Sequence, residues 1–362
     1  MKIMYLLFSY TVGGTERLVA DICNEMVSQE HEVYLYVVNN LYSEEVLNTL
    51  DRKVHIELQK RPVGSGGKID TIRRVTKYIK DNQIEIVHCN SLDIPEILIL
   101  KPFLFRKTKI VHTIHDVGQY GQLAKWKIIL RNILCDNFVA ISKSVKKDIV
   151  EHGAKAKKVV TVYNAINLEK FSSKSSGRYN PDKIVIGNVA RFMPEKKGQD
   201  ILVEAIDLIS KKYPNVVCYF AGGYDNSHKK AFENLKRIIM ERGIDNNIIF
   251  LGNVDNIPEL LRTIDIFVLP SRFEGFGISL IEAMAMGIPC IASNLDGPAE
   301  IMVSNPNQLF DVGDSAQLAE KISYVIDNYD LIKKQAQNEI NRIQKRFDIV
   351  NMCKKLIKVY TY

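Results

Sequence analysis

The chain has 362 residues, of which 46% are apolar and 25% are charged, and it carries a net charge of +7 at pH 7. This composition excludes an intrinsically disordered chain, and the length predicts two domains. The six cysteines stand singly, without the spacing of a zinc site, which is typical of reduced thiols in a cytoplasmic protein.

The beginning of the chain, MKIMYLLFSY, contains a lysine and an apolar run that no small-residue cleavage site follows. It predicts a first strand rather than a signal peptide. The longest other apolar run, IPEILILKPFLF, is interrupted by prolines and charged residues and falls short of the roughly 20 residues that a spanning helix needs. We therefore expect no membrane-spanning segment.

Strands and helices are predicted to alternate along the chain. Seven runs rich in Val, Ile, Tyr and Phe come first: KIMYLLFSY, EVYLYVVN, VHIEL, IEIVHCN, KIVHTIH, NFVAIS and VVTVYN. Five more follow: KIVIGNVA, VVCYFAG, NIIFLGN, IDIFVLPS and IPCIASN. Helical stretches such as GTERLVADICNEMVSQ separate them, with apolar residues at three-to-four spacing. Near-continuously apolar strands that alternate with helices predict an α/β protein with parallel sheets.

The series is interrupted once, by the Ser- and Lys-rich stretch NLEKFSSKSSGRYNPDK, which is typical of a linker. We predict a Rossmann-like domain over residues 1–168, a linker over 169–182 and a second Rossmann-like domain over 183–340. Ligands of such sheets bind beyond the carboxyl ends of the strands, so two facing domains would share one site in the cleft between them.

Gly13 and Gly14 follow the first strand and precede a helix. Glycines at this place let the backbone approach a ligand closely, with helix N–H groups facing it. The segment is not G-x-G-x-x-G, so the sequence does not predict a dinucleotide site. A plain tight turn is the alternative interpretation.

His115 and Asp116 end the predicted strand in HTIHD. A histidine at the carboxyl end of a strand is suited to contact a sugar hydroxyl or to carry a proton. A structural histidine with satisfied hydrogen bonds is the alternative.

Arg191 follows the first strand of the second domain in VARFMPEKKGQD, and Lys196 and Lys197 come shortly after it. Cations beside a turn at this end of a strand can hold a diphosphate, Arg through two hydrogen bonds and Lys as a point charge. A surface ion pair is the alternative.

Glu274 and Glu282 bracket the turn and helix in SRFEGFGISLIEAMAMG. The amides of the turn, Gly275–Gly277, and the helix N-terminus form an anion site. Carboxylates accept hydrogen bonds from diols, so Glu274 suits a sugar and Glu282 suits a ribose. Helix capping would explain Glu274 but not Glu282. The chain has no D-x-D motif, so a donor site organised around a metal through that motif is not expected.

A basic zone covers residues 101–158, where 13 basic and 4 acidic residues give +9. Such a zone suggests an anionic partner, namely a membrane surface or a phosphate-bearing substrate, and a solvated basic face is the alternative. Within it, the stretch 120–134 predicts a basic amphipathic helix suited to a membrane surface, and an ordinary sheet-covering helix is the alternative. Its apolar face is predicted to hold Leu123, Trp126, Leu130, Ile133 and Leu134. Lys125, Lys127 and Arg131 are predicted to lie off that face.

The stretch EGFGISLIE, from Glu274 to Glu282, resembles the E-x7-E motif of the retaining glycosyltransferases of family 4, which have the two-domain GT-B fold. Other segments are similar and occur in the same order: the early Gly13–Gly14, then HTIHD, VYNAIN, VARFMPEKKG, FLGNV, LPSRFEGFG and GIPCIAS. The resemblance covers nearly the whole chain.

The resemblance implies a metal-independent enzyme without a cofactor that moves a sugar, UDP-linked, from a nucleoside diphosphate to a glycan or lipid-linked acceptor. The product would belong to capsule, O-antigen or exopolysaccharide, and the enzyme would lie in the cytoplasm or peripherally on the inner face of the plasma membrane. It also implies that a final helix over 341–362 crosses back to the first domain. Two alternatives are a sugar-nucleotide epimerase on the same fold and a non-catalytic nucleotide-sugar-binding subunit.

The resemblance assigns a role to each candidate residue. Those that would act on the reacting sugar and the diphosphate are His115, Arg191, Lys197 and Glu274, with the choice between Lys196 and Lys197 left open. Those that would bind the donor are Gly13, Gly14, Val254 (by its backbone, at the base), Gly275, Phe276, Gly277 and Glu282 (at the ribose). The acceptor-side candidates are Glu16 and Asp116.

Overall fold

The computed structural model describes residues 1–64, 68–171 and 180–361. The chain divides into two compact units, of which the first consists of Met1–Ala165 and Ile349–Tyr362 and the second of Ile166–Asp348. Residues 172–179, the larger part of the predicted linker, lie outside the described residues.

Strands and helices alternate in the described part of the first unit. Up to Ala165 the strands are β1 (Lys2–Leu7), β2 (Glu32–Asn39), β3 (His55–Arg61), β4 (Ile86–Cys89), β5 (Lys109–Ile114), β6 (Asn137–Ala140) and β7 (Val159–Thr161). The α-helices over the same range are α1 (Gly14–Ser28), α2 (Glu44–Leu47), α3 (Lys68–Asp81), α4 (Lys101–Leu104), α5 (Lys125–Leu134) and α6 (Lys143–Glu151). Short 3₁₀ helices lie at Ile94–Leu98 and Ala156–Lys158.

The same alternation continues to the end of the described chain. The strands are β8 (Ile184–Val189), β9 (Val216–Ala221), β10 (Ile248–Gly252), β11 (Ile266–Leu269), β12 (Cys290–Ser293) and β13 (Leu309–Phe310). The helices are α7 (Pro194–Lys197), α8 (Gln199–Ser210), α9 (Lys229–Arg242), α10 (Ile257–Arg262), α11 (Ile278–Ala285), α12 (Asp296–Ile301), α13 (Ser315–Asp327), α14 (Tyr329–Arg346) and α15 (Ile349–Thr361). Further 3₁₀ helices lie at Asp245–Asn247 and Pro306–Gln308.

Each unit contains a parallel sheet. The strand order is β3-β2-β1-β4-β5-β6-β7 in the first unit and β10-β9-β8-β11-β12-β13 in the second. In both, the order runs outward in opposite directions from a central pair of strands, β1 and β4 or β8 and β11. Such a switch point is where open parallel sheets bind ligands, beyond the carboxyl ends of the strands.

The predicted α/β class with two Rossmann-like sheets is confirmed. Within the described residues, each of the twelve apolar runs overlaps a strand. Strand β13 was missed because it has only two residues, Leu309 and Phe310, which gives no alternation to detect.

Helix α15 belongs to the first unit, and it begins at Ile349 rather than at 341 because α14 continues to Arg346 in the second unit. Its buried face includes Leu356 and Tyr360. The Tyr360 hydroxyl is 2.6 Å from Nδ1 of His88 on β4 and 3.2 Å from the hydroxyl of Tyr5 on β1. His88 Nε2 in turn lies 2.6 Å from Thr113 Oγ1 on β5. This buried chain of hydrogen bonds fixes α15 to three neighbouring strands.

All six cysteines are free and buried. Among the helices of the described residues, none combines the length and the apolar character that a membrane span requires.

Candidate functional site

Two loops at the switch point of the second unit hold the predicted charged residues. One follows β8 and contains Arg191 and Lys197; the other follows β11 and contains Glu274. The strands pair at Ile186–Ile266 and Gly187–Phe267. Because β8 and β11 are parallel neighbours, their carboxyl ends deliver both loops to one edge of the sheet.

The structure joins Lys197 to Glu274. Lys197 Nζ lies 2.8 Å from Glu274 Oε2, and both side chains are largely buried. The Ser271 hydroxyl donates to the same carboxylate oxygen at 3.3 Å. Of the two candidate lysines, Lys197 directs its ammonium to Glu274, whereas Lys196 provides its backbone carbonyl to the second loop.

That carbonyl accepts two backbone hydrogen bonds, from the amides of Arg272 at 2.8 Å and Phe273 at 3.1 Å. The Arg272 guanidinium donates to both carboxylate oxygens of Asp200, at 2.7 Å each, and to the Pro194 carbonyl at 2.8 Å. Our sequence analysis missed Arg272. Its position directly before FEGFG was the available signal, but its partner Asp200 is 72 residues away.

Gly198 explains how closely the two loops approach. It has a φ of 67°, and a Cβ at this position would lie 1.9 Å from the Pro270 carbonyl oxygen. A side chain would therefore be both strained and in collision with the loop that follows β11.

The turn Gly275–Gly277 leads into α11, with Gly277 as the N-terminal cap at φ 109°. Phe276 is buried, and its ring meets that of Phe347 edge-on at 5.5 Å between centroids. The packing of Phe276 against Phe347 thus fixes the turn. The N-terminal end of α11 carries the partial positive charge that attracts an anion. Glu282 lies in the fifth position of α11 and is half-buried.

Arg191 and Val254 lie at the same edge of the sheet but follow strands that are not neighbours. Arg191 is exposed directly after β8, and its carbonyl accepts a hydrogen bond at 3.0 Å from the buried Gln199 side chain. Val254 is half-buried and follows β10, which β9 separates from β8. The edge therefore presents Val254, Arg191 and the Lys197–Glu274 pair in the order of the strands.

In the first unit, Gly13 caps α1 with extended backbone and Gly14 is the first helical residue, so both lie where the segment that follows β1 enters the helix. Glu16 is half-buried in the first turn of α1. His115 and Asp116 follow β5, and β4 separates β1 from β5. The structure thus places these candidates at one edge of the sheet, on strands that are not immediate neighbours.

Both ring nitrogens of His115 are enclosed, and neither has a hydrogen-bond partner among the described residues. Burial lowers the pKa of His115 to about 4, and the nearby Asp116 carboxylate opposes that shift. The ring is therefore neutral at pH 7 and can donate at one nitrogen and accept at the other. Asp116 itself accepts from the Gln119 side-chain amide at 2.7 Å.

The predicted orientation of α5 is wrong in part. Arg131, expected off the apolar face, is fully buried and donates to Glu96 Oε1 at 2.7 Å. Leu134, expected on the same face as Trp126, is also buried. The physical reason is the ion pair, which draws Arg131 toward the 3₁₀ helix Ile94–Leu98.

The solvent-facing side of α5 is instead apolar. Trp126, Ile129 and Ile133 are 59%, 61% and 63% exposed. Lys101 of α4 donates to the Leu134 carbonyl at the end of α5, at 3.1 Å, and Phe103 and Leu104 of the same short helix α4 are exposed. We name these five exposed residues the α4–α5 patch. Exposed basic residues flank it in the sequence: Arg106, Lys107 and Lys125.

Within the described residues, no group of three or more His, Cys, Asp or Glu side chains is arranged to hold a metal ion.

Comparison with known proteins gives matches over nearly the whole chain. The family model "Glycosyltransferase Family 4" matches residues 12–170, and "Glycosyl transferases group 1" matches residues 169–343. The chain is 23% identical over 312 residues to the lipopolysaccharide core biosynthesis mannosyltransferase LpsB of Rhizobium meliloti, covering 84% of this chain and 82% of LpsB.

It is 22% identical to the O-antigen biosynthesis glycosyltransferase WclY of Escherichia coli, covering 99% of this chain and 98% of WclY. The crystal structure of Anabaena HepE in complex with UDP and glucose has a TM-score of 0.86 to this chain at 21% identity, covering 100% and 99% of the two chains. That similarity identifies the fold.

Proposed function

Since this chain belongs to the glycosyltransferases of family 4, we propose that it transfers a sugar from a nucleoside-diphosphate donor, UDP-linked, to a glycan or lipid-linked acceptor. The acceptor would belong to a bacterial surface polysaccharide such as capsule, O-antigen or exopolysaccharide. The names of LpsB and WclY, which refer to lipopolysaccharide core and O-antigen, support this pathway class. The UDP in the HepE structure supports the nucleotide.

The observation that carries the proposal is the Lys197–Glu274 pair at the switch point of the second sheet. An ammonium group has three donors, so Lys197 can hold Glu274 and a phosphate oxygen together. Arg191 and the N-terminus of α11 would meet the remaining negative charge of the departing diphosphate, which is the charge that grows as the sugar leaves. The proposed transfer therefore needs no metal.

We propose that the transfer retains the anomeric configuration. The bond from the anomeric carbon to the phosphate oxygen breaks, the acceptor oxygen attacks from the same face, and the departing phosphate takes the proton of the acceptor hydroxyl. Glu274, held by Lys197 and Ser271, would accept from hydroxyls of the transferred sugar instead of attacking it. His115, whose enclosed ring nitrogens have no hydrogen-bond partner among the described residues, would hydrogen-bond that sugar once the packing around its ring opens.

The remaining candidates would recognise the donor. Glu282 would accept the ribose hydroxyls, the backbone near Val254 would contact the base, and the amides of Gly14 and Gly277 would approach the diphosphate. A sugar-nucleotide epimerase or a non-catalytic subunit on this fold would also bind the nucleotide, but neither would transfer the sugar. Release of UDP that requires an acceptor distinguishes transfer from both.

We also propose peripheral contact with an anionic membrane on the cytoplasmic side through the α4–α5 patch. Exposed Trp126, Ile129 and Ile133 are suited to the boundary between lipid headgroups and acyl chains, and nearby Arg106, Lys107 and Lys125 are suited to anionic headgroups.

The donor proposal is tested by thermal unfolding with UDP, GDP, dTDP, ADP or NAD, first with EDTA and then with magnesium. A ligand at 100 times its Kd adds about 2.7 kcal/mol to the free energy of unfolding. We expect selective stabilisation by UDP that EDTA does not abolish. UDP should no longer stabilise the Lys197→Ala variant. It should still stabilise Lys212→Ala, which removes a lysine paired with Asp327 in the same unit.

Stabilisation by NAD alone, or by none of these nucleotides, would contradict the proposed donor. A requirement for magnesium would contradict metal independence but leave the nucleotide in place.

A further inference from the structure

We infer that Arg272 is a positioning residue that sets the geometry of Lys197 and Glu274. The inference rests on the proposed function, because it concerns how the donor-binding loops are held. Arg272 lies two residues before Glu274, and its side chain turns away from Glu274 to bind the other loop at Asp200 and Pro194.

Arg272 connects three segments at once. Its guanidinium binds both oxygens of Asp200, in the first turn of α8, and the carbonyl of Pro194, at the start of α7. Its backbone amide donates to Lys196, at the end of α7. The short helix α7, which carries Lys197, is therefore held at both ends by one residue of the opposite loop.

The geometry requires arginine. A planar guanidinium reaches two carboxylate oxygens in parallel and still has an N–H for the carbonyl, whereas an ammonium group acts as a single point charge. Lysine at this position can keep the positive charge, but its single nitrogen cannot occupy the two positions from which the guanidinium reaches both carboxylate oxygens and the carbonyl.

The effect on binding should exceed the effect on stability. The Arg272 and Asp200 side chains are 31% and 37% exposed, and ion pairs with such access to water contribute modestly to folding, with bidentate pairs at the upper end. The same contact fixes two loops whose charged groups must meet one diphosphate, so without it those groups would have to be ordered when the ligand binds, which costs affinity. A positioning role thus predicts a loss of affinity without a matching loss of stability.

The test compares Arg272→Lys and Asp200→Ala with a matched control, Arg242→Ala. Arg242 pairs with Asp207 at 3.2 Å in the same unit, and their side chains are 37% and 33% exposed. For each full-length protein we would measure backbone amide exchange over residues 193–198 and 270–276 without nucleotide, then the Kd of UDP by calorimetry and the thermal midpoint.

We expect R272K and D200A to exchange faster than wild type in both segments and to bind UDP about tenfold more weakly, because the loops must then be ordered on binding. The double variant should bind no more weakly than the worse single variant, because both changes break one connection. R242A should match wild type in exchange over these segments and in Kd, with a thermal midpoint lowered as much as in the other variants.

Unchanged exchange in R272K and D200A would overturn the inference, as would faster exchange with an unchanged Kd. If wild type itself fails to bind UDP, the proposed donor is wrong, and the exchange measurement still decides whether Arg272 holds the two loops.

Discussion

Lys197 and Glu274 form an ion pair in which each largely buried charge depends on the other. Removing one partner of such a pair leaves an uncompensated charge, which costs more than the pair contributes. A substitution that keeps the shape and one hydrogen-bonding oxygen therefore separates the chemical role of the carboxylate from its structural role.

Glu274→Gln is that substitution. We expect it to reduce sugar transfer about 100-fold or more, which is typical of losing one preorganised group at a reacting centre, and to lower the free energy of unfolding by about 1–3 kcal/mol. The measurement is UDP release with the acceptor, alongside urea unfolding.

Glu339→Gln provides the control for E274Q, because Glu339 is a partly buried carboxylate paired with Arg342 in the same unit. The Glu339→Gln variant should be less stable than wild type but should transfer sugar at the wild-type rate. Wild-type turnover in E274Q would show that Glu274 has no part in the reaction.

Sequence reasoning worked for residues whose place follows from chain order. Arg191, Lys197 and Glu274 lie in the segments that follow β8 and β11, and a parallel sheet brings the starts of both segments to one edge. It could not find the link between Arg272 and Asp200, since a bidentate contact depends on two loop conformations. The enclosure of the His115 ring nitrogens likewise depends on packing that no motif records.

Helix α5 shows which properties of a helix the spacing of its apolar residues can predict. Three-to-four spacing predicted an amphipathic helix but not which side packs inward. Arg131 is paired with Glu96, 35 residues away, and this pairing makes a charged residue the buried one. Trp126, Ile129 and Ile133 are consequently left on the outside.

Membrane contact through α5 predicts a sharp loss of vesicle binding in the double variant Trp126→Ser/Ile133→Ser. Each fully buried large apolar side chain contributes about 1.5–3 kcal/mol, so losing two should weaken binding to phosphatidylglycerol-containing vesicles about 100-fold. Flotation of the protein with vesicles measures this, and raised salt should weaken the wild type by screening its basic residues.

The matched control is Leu208→Ser/Met240→Ser, which removes two similarly exposed apolar side chains, 59% and 65%, from the second unit. It should float like wild type. Equal flotation of all three proteins, or none by the wild type, would contradict a membrane role for the α4–α5 patch.

At the scale of the whole chain, α15 packs in the first unit, where Tyr360 contacts residues of β1 and β4. Its anchor is a histidine that must stay neutral, because burial and, to a lesser extent, nearby His115 lower the pKa of His88 to about 3. His112 is also held neutral by burial and by the nearby Arg131 charge, which lower its pKa well below the usual range. The first unit therefore contains three histidines, His88, His112 and His115, that resist protonation.

This arrangement makes the stability of the first unit depend on pH. In the unfolded chain histidines take up protons below about pH 6.5, whereas folded His88 and His115 do so only near 3 and 4. Between those limits the unfolded state binds more protons, so the free energy of unfolding falls as pH decreases, by about 1.4 kcal/mol per pH unit for each histidine.

Urea unfolding followed by fluorescence tests this, because Trp126, the single tryptophan of the sequence, lies in the first unit. Between pH 6.5 and 4.5, the slope of the free energy of unfolding against pH should be smaller in His88→Gln than in wild type, by about 1.4 kcal/mol per pH unit. Tyr360→Phe removes the hydroxyl that binds His88 but keeps the imidazole, so it should be less stable at every pH with the wild-type slope. A wild-type slope in H88Q would mean that His88 takes up its proton in the folded state as readily as in the unfolded one.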